Sequence, residues 1–545
     1  AGAIVALKGI GGYHLACDAV NPAAVHRLRQ RKYRKEKPFA LMVRSLEQAR
    51  RLADLTAVAE TLLASPAAPI VLARGRVELA DVAPGCSELG IMLPYAPLHH
   101  LLFAAGAPDV LVMTSANRSS EPIAYEDAEA RERLGGLADA LVIGGRPIAR
   151  RVEDSVVRCG PLGPTILRRG RGYAPAAVAA IPAARPILAI GGDLKNAVTL
   201  VVEGQAFVSQ HIGDLEHYES RRALEESIRD LLAIYRVPAD ELLVAHDRHP
   251  EYRSTAYALD LGAERCGVQH HRAHVASVVA ERGTWHQRVL GVSFDGTGYG
   301  DDGTIWGGEF FVGSVGGGLE RVAHLRPAAL IGGDAAARHP VQAAAGFLAG
   351  IEDLPDLTKP PFDFPSRYRA AGRLLAAGLR VVATTSAGRL FDAAAALLGF
   401  VRPTTYEGQA AMWLEQLARE SPAARPYPFP MVDGELDWRP LLHAVVDDRL
   451  RGRDRRQIAR AFQRGVAAGL AATAASLCRA HGLDIVAASG GVLQNALLVE
   501  DVSPMLQAEG LDLWINHAVP PNDGGISLGQ AALAAFRACT SFPSR

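Results

Sequence analysis

The sequence predicts an α/β protein in two parts: an α/β unit over residues 1–173, then a duplicated α/β core with helical insertions over 187–545. Three observations predict it. Residues 1–173 alternate short β-rich runs with helical ones. The stretch "YAPAAVAAIPAARP" (173–186) is rich in Ala and Pro, and 174–186 reads as a linker. After it, "ILAIGGDLKNAVTLVV" (187–202) and "VLGVSFDGTGYGDDGTIWGGEFFVG" (289–313) share one form, an apolar strand, a Gly turn and a second strand. Two such units in one segment suggest duplication.

The elements follow in order. "IVALKG" and "DVLVMTSAN" are strands ending in Gly or Ser/Asn turns, as strands feeding a site do. "PAAVHRLRQRKYR" is a helix with Pro22 in its first turn and Asn21 as its cap. Residues 335–480 are mostly Ala/Leu/Arg-rich helices. "DIVAASGGVLQNALLVEDV" (484–502) is strand, Gly-Gly turn and helix, and "PPNDGGISLGQAALAAF" (520–536) is a loop entering a last helix. The apolar run 465–478 is shorter than the ~20 residues a membrane span needs and reads as a buried helix.

Composition narrows the function. The 545 residues are too many for one core. Lys+Arg and Asp+Glu are both 58, which gives no global case for a nucleic acid or a membrane as partner. Cys17, Cys86, Cys159, Cys266, Cys478 and Cys539 are scattered without a C-x-x-C, so a reduced, cytoplasmic setting without disulfides is expected. The start at Ala1, directly in a strand-like run, reads as a piece cut from a longer protein.

In the first part, "HRLRQRKYRKEKP" (26–38) sets seven cations against Glu36. Such a run is commonly a solvated helix face. Here it leads into the strand-like "KPFALMV", which puts the last cations at the mouth of the fold, where they suit a polyphosphate. "MTSAN" (113–117), "RRVEDSVVR" (150–158) and "ILRRGRGYAP" (166–175) add hydroxyl, amide and Arg groups to an anion pocket. His14 fits either that pocket or a purely structural role.

In the second part, "SFDGTGYGDDGT" (293–304), "SGGVLQN" (489–495) and "NDGG" (522–525) are Gly turns with Asp or Asn at strand ends or helix starts. Their backbone N–H groups can cradle phosphates while an Asp faces a metal. "QHHRAHVAS" (269–277) places His270 and His274 four apart on a helix and His271 and His274 three apart. Both spacings share a face, so spacing does not choose the pair. Two imidazoles plus carboxylates suit iron or zinc.

"KGIGGYHLACDA", "RKYRKEKPFALM", "LPYAPLHHLL", "TSAN" and "EDSVVR" resemble the YrdC domain of the HypF family of carbamoyltransferases, which mature [NiFe] hydrogenases. The Gly turns and histidines resemble the ASKHA-type domain that HypF shares with the universal tRNA threonylcarbamoyl transferase. "GRLFDAAAALLGF" (388–400) and "YEGQAAMWLE" (406–415) also match HypF stretches, so the resemblance covers nearly the whole chain. It implies a twisted-sheet YrdC-like domain that forms carbamoyl adenylate from ATP, Mg²⁺ and carbamate, the last drawn from carbamoyl phosphate. A TsaD-like domain then transfers the carbamoyl group to the C-terminal cysteine of HypE.

The resemblance implies that Lys32, Arg34 and Lys37 hold phosphates, with Ser115, Asn117, Arg151, Asp154 and Ser155 at the same nucleotide pocket. It implies an iron or zinc ion on His270, His274, Asp295 and Asp523, with His271 turned elsewhere. Gly296, Thr297, Gly490, Gly491 and Asn495 would meet a second nucleotide. A full HypF carries an acylphosphatase domain and zinc-finger modules before the YrdC part, and these residues hold neither. The rival expectations are a tRNA threonylcarbamoylation enzyme on the same two folds and a nucleic-acid-binding module built on residues 26–38.

Overall fold

The computed structural model describes residues 2–79, 81–117, 122–422 and 424–536. Among them the N-terminal sheet has nine strands, in the order Ala140–Val142, Val5–Lys8, Tyr13–Asp18, Val110–Ser115, Ala40–Val43, Glu88–Met92, Ile70–Arg74, Val156–Gly160 and Gly163–Arg168. Its pairings mix parallel and antiparallel registers. Helix Pro22–Lys32 begins where the sequence predicts, with the Asn21 side chain accepting from the Ala24 N–H and proline in the first turn. Leu28 and Val25 of that helix pack with Leu15, Leu41 and Val112 of the sheet.

The C-terminal part shows the duplication as a repeated strand order. In its first sheet Gln205–Val208, Thr199–Val202 and Ile187–Ala189 form an antiparallel meander, followed by the parallel strands Leu243–Asp247 and Glu264–Val268. In its second sheet Gly318–Leu325, Ile305–Ser314 and Val289–Tyr299 form the meander, followed by parallel Ile485–Ser489 and Asp512–Trp514. In the first copy the crossover from third to fourth strand contains helix Tyr218–Tyr235; in the second it holds the helices between Asp334 and His481. The helical insertion therefore occupies one equivalent connection, and its faces share the cluster built on Phe347, Phe391, Phe462 and Trp438.

Helices His270–Ala280 and Ile526–Ala535 lie between the two C-terminal sheets. Ala273, Val275 and Ala276 of one, and Leu528, Ala531 and Ala532 of the other, share a core with Val201 and Val208 from one sheet and Val289, Phe311 and Ala487 from the other. Both helices are buried along almost their whole length, as helices held on every side must be.

Two expectations need correction. Within the predicted linker 174–186, Ala177–Ala180 is an edge strand paired with Gln205–Val208. Its small side chains carry no clear strand pattern, and the pairing comes from an available sheet edge. Cys266 is disulfide-bonded, against the expected absence of disulfides. Spacing in sequence does not report which sulfurs a fold brings together. Cys17, Cys86, Cys159 and Cys478 are free, and Cys539 lies outside the described residues. No helix among the described residues is long and apolar enough to cross a membrane.

The contact between the two central helices yields a prediction. A Cβ on Gly529 would stand 1.8 Å from the Ala273 carbonyl oxygen. Gly529→Ala is therefore expected to destabilise by about 1–3 kcal/mol. In an open helix the same change would stabilise by roughly 1 kcal/mol, so urea unfolding reads the sign.

Candidate active site

The basic run 26–38 is divided by burial. Arg29 is buried, and its guanidinium donates to the carbonyls of Arg34 (3.0 Å), Lys37 (3.2 Å) and Val82 (3.0 Å), which clamps the loop after the helix. Lys32 is 1% exposed, with its Nζ donating to Ser115 O at 2.6 Å, Asn117 O at 2.7 Å and Asn117 Oδ1 at 2.8 Å. Glu36 turns to the C-terminal part, where its carboxylate accepts from Arg402 at 2.7 Å, Thr405 at 3.2 Å and Gln409 at 2.5 Å.

Arg34 and Lys37 face a cavity of about 390 Å³. His14, Ser115, Glu153, Asp154 and Arg168 line it from the N-terminal sheet, and Lys195, Tyr406, Glu407 and Glu415 line it from the C-terminal part. Burial lowers the Lys37 ammonium to a pKa of about 8, helped by Arg34 and Arg168. Burial likewise lowers Arg34 to about 10, with Arg29 and Arg168 adding repulsion. The cavity cations Arg34, Lys37 and Arg168 face Glu153, whose carboxylate is 2.8 Å from Arg168 Nη1. Three cations grouped on one wall of the cavity suit an anionic ligand.

His14 belongs to a buried network below this cavity. Its Nε2 is 2.9 Å from Asp154 Oδ2, and Arg171 Nε donates to Asp154 Oδ1 at 2.8 Å. The Arg171 guanidinium lies 3.4 Å from the Tyr95 ring centre. Burial alone would raise the Asp154 pKa, but His14 and Arg171 outweigh it and hold the carboxyl well below the usual range. His14 is thus both a cavity wall and a structural partner of Asp154.

The second cluster is built from three distant segments. Gln269 caps helix His270–Ala280 by accepting from the Arg272 N–H at 2.9 Å. His270 and His274 then project on one face towards Asp295, in strand Val289–Tyr299, and Asp523, in the turn Asp523–Gly525. Asp295 Oδ2 is 3.4 Å from His270 Nε2 and 3.5 Å from His274 Nε2; Asp523 Oδ1 is 4.0 and 3.7 Å from the same atoms. All four residues are buried, and one ligand atom from each lies within 4.8 Å of the others.

The donor set fits a single ion. Ligands at ~2.1 Å around a tetrahedral zinc stand roughly 3.4 Å apart. Among the described residues, His270 Nε2 and His274 Nε2 have no hydrogen-bond partner although both are buried. Asp247 Oδ2 meets His270 Nδ1 at 2.7 Å, which orients the ring and turns Nε2 inward. His271 points away: its Nδ1 is 3.1 Å from Gln269 Nε2 and its ring packs against Trp306. Burial, then His270, keeps His271 neutral.

Backbone geometry holds the carboxylates. Gly490 has φ +103°, and a Cβ there would stand 2.2 Å from the Phe294 carbonyl oxygen. This close approach lets the Gly491 N–H donate to Asp295 Oδ1 at 2.8 Å. On the other side, the Glu281 carboxylate accepts the N–H groups of His517 (2.7 Å), Ala518 (3.0 Å) and Val519 (2.9 Å), which anchors the loop carrying Asp523.

The chain is similar to known proteins over nearly its whole length. Residues 1–170 match the Sua5/YciO/YrdC family model, described as telomere recombination. Residues 182–281 match the HypF Kae1-like domain, and 291–530 match the second subdomain of the carbamoyltransferase Kae1-like domain. Carbamoyltransferase HypF of Rhodobacter capsulatus is 42% identical over 98% of this chain and 72% of its own length. Carbamoyltransferase HypF2 of Cupriavidus necator is 40% identical, with the same coverage of both chains. The crystal structure of full-length HypF in the phosphate- and nucleotide-bound form superposes with a TM-score of 0.92, at 37% identity, over 98% of this chain and 84% of that one. The chain belongs to the HypF carbamoyltransferase family.

In this HypF-family chain the expected residues divide. Arg34, Lys37, Ser115 and Asp154 gather at one cavity. Lys32 does not face it, because three oxygens of the 115–117 turn take its ammonium; it supports that turn instead. Asn117 lines a separate surface hollow with Tyr33 and Arg133. Ser155 is fully buried and bridges Gly170 N and Arg171 O. Arg151 sits 5.1 Å from the Tyr125 ring centre, in another hollow with His211 and Asp230.

At the second cluster, Gly296 and Thr297 lie in the irregular stretch between Phe294 and Gly298, against the start of helix Ala387–Leu397. Gly491 is committed to Asp295. Asn495 is a helix cap, with its Oδ1 accepting from Leu498 N and its Nδ2 donating to Gln463. Sequence reasoning missed Asp247, Glu281, Lys195 and Glu407. Asp247, at the end of the apolar run "LLVAHD", carried a strand-end signal; the others carried none.

The Asp154 network has a pH signature. Asp154→Asn leaves His14 and Arg171 buried without their counter-charge and is expected to cost about 3 kcal/mol at pH 7. A depressed carboxyl stabilises above its unfolded pKa of ~3.9 and loses that contribution as pH falls towards its folded value. The gap between wild type and variant in urea unfolding should therefore be full at pH 7 and shrink below about pH 4.

Proposed function

We propose that this chain activates carbamate as carbamoyl adenylate and transfers the carbamoyl group to a thiol, with the division of labour at residues 1–173 and 187–545. The single observation that carries this reading is the cavity in which Arg34, Lys37 and Arg168 face Lys195 and Glu407 across the two parts of the chain.

In the first step a carbamate oxygen attacks the α-phosphorus of ATP, supplied as its Mg²⁺ complex, and pyrophosphate leaves. Arg34, Lys37 and Arg168 offset the charge that grows on the departing phosphates. Ser115, at the end of its strand, offers a hydroxyl to the same ligand. The product is a mixed anhydride, which gives carbamate the leaving group it lacks.

In the second step a thiolate attacks the carbamoyl carbon and AMP departs. His270, His274, Asp295 and Asp523 would hold one iron or zinc ion beside the adenylate. When bound, that ion supplies Lewis-acid stabilisation to a phosphate or carbonyl oxygen. Asp247 orients His270, and Gly491 orients Asp295, so the donor set is arranged before any ligand arrives. Family membership supports the C-terminal cysteine of HypE as the thiol, and so the synthesis of the cyanide ligand of [NiFe] hydrogenases. Carbamoyl phosphate is the source of carbamate in the same reading.

Carbamate-dependent ATP–pyrophosphate exchange tests the first step. Arg34→Ala should lower it by about 10²-fold; exchange that survives this change would sink the assignment. Because Lys37 is charged only below about pH 8, kcat/KM for ATP should fall as the pH rises through 8. In Lys37→Arg that fall should disappear.

Metal analysis of purified variants tests the second site. His270→Ala and His274→Ala should each lose bound iron or zinc, and His271→Ala should keep it. Loss in His271→Ala with retention in His270→Ala would overturn the ligand set.

A further inference from the structure

We propose that Lys195 is a positioning residue that exchanges its ion pair with Glu407 for the phosphate of the adenylate, and so leads that phosphate from the shared cavity to the His270–Asp523 cluster. The proposal rests on the adenylate reading above. It makes and breaks no covalent bond; it is a change of counter-ion.

Lys195 touches both sites. Its side chain lines the cavity that holds Arg34, Lys37 and Arg168. Its backbone belongs to the turn 190–198, which abuts the second cluster. A Cβ built on Gly192 of that turn would lie 3.5 Å from Asp523 Oδ2, and one on Gly524 would lie 3.4 Å from the Lys195 carbonyl oxygen. Lys195 itself has φ +47°, an uncommon conformation for a residue with a side chain. The Asp214 carboxylate holds it there, accepting the Lys195 N–H at 2.9 Å. That hydrogen bond fixes where the Lys195 side chain leaves the turn.

The resting partner suits exchange. Lys195 Nζ pairs with Glu407, which lies in the segment before helix Gln409–Arg419. The Glu407 side chain is 58% exposed and that of Lys195 27%, so the pair opens to the cavity. Exposed pairs of this kind hold weakly, and a phosphate accepts the same charge-assisted hydrogen bonds from the ammonium as the carboxylate does. Replacing one anion by another leaves no unmatched buried charge at any point. Burial works against the Lys195 charge, but Glu407 and Asp523 outweigh it and hold the ammonium above the usual lysine range.

The alternative is that Lys195 and Glu407 only tie the two parts of the chain together. Lys195→Met, Lys195→Arg and Glu407→Gln separate the two, using the full chain, carbamate supplied as ammonium bicarbonate, and a peptide ending in cysteine as acceptor. Two rates are read: ATP–pyrophosphate exchange and formation of the S-carbamoyl peptide. The expected result is a transfer rate at least tenfold lower in Lys195→Met, mostly recovered in Lys195→Arg, and not reduced in Glu407→Gln, with exchange detectable in all. Equal loss of transfer in Lys195→Met and Glu407→Gln would assign the pair a purely structural role and overturn the proposal. Undiminished transfer in Lys195→Met would also overturn it while leaving the adenylate reading intact. Absence of exchange in the wild type would sink the adenylate reading, and the proposal with it.

Discussion

Asp295 is the interaction on which the C-terminal site depends, because its two oxygens have different partners. One accepts the Gly491 N–H, and the other faces His270 and His274. A buried carboxylate is costly unless it is matched in charge and hydrogen bonding. Meeting that requirement forces three segments together: the strand carrying Asp295, the turn Gly490–Gly491 and the first turn of the histidine helix. The Gly490 conformation follows from it, since the turn must pass against the Phe294 carbonyl with no room for a side chain. The sandwiching of helices His270–Ala280 and Ile526–Ala535 between two sheets then keeps water and strand slippage away from the cluster.

The N-terminal cavity solves a related problem with the opposite sign. Arg34, Lys37 and Arg168 are brought together, with the Glu153 carboxylate against Arg168. Burial lowers the proton affinities of Arg34 and Lys37, and repulsion from Arg168 adds to it. The loop that carries Arg34 and Lys37 is stiffened by Arg29 on its carbonyls, and the 115–117 turn is held by Lys32. Cations adjacent in sequence thus divide into supports and cavity walls. The cavity is completed by Lys195, Tyr406, Glu407, Met412, Glu415 and Gln416, and contacts of Glu36 with Arg402, Thr405 and Gln409 join the two parts of the chain nearby. Neither part of the chain encloses it alone.

Much of the architecture was legible in the amino-acid order. The capped helix after Asn21, the strand before "TSAN", the two Gly-turn hairpins and the last helix all follow from local patterns, because capping, alternation and turn chemistry act over a few residues. The edge strand Ala177–Ala180 was not legible, since its pairing depends on a free edge elsewhere. Lys32 could not be told from Arg34 and Lys37 by pattern, because burial, and not residue type, separates them. The resemblance implies a ligand contact at Asn495, and local pattern did not show that its Oδ1 caps a helix. Lys195 and Glu407 meet across 212 positions, a distance over which local pattern carries nothing.

By itself the sequence determined the chemical inventory: a basic run before a strand, three histidines on one helical segment, and Asp or Asn residues in Gly turns. It determined the local geometry of each, and its resemblance to a family named which residues to pair. Only the tertiary structure shows by contact how His270 and His271 differ as companions of His274, with Asp295 and Asp523 on one side of the helix and Trp306 on the other. Only it decided which cations face a cavity and which are spent on carbonyls, and that the cavity is shared by both parts of the chain. The physical reason is that burial and counter-charge are set by residues far apart in sequence, whereas capping, periodicity and turns are set by neighbours.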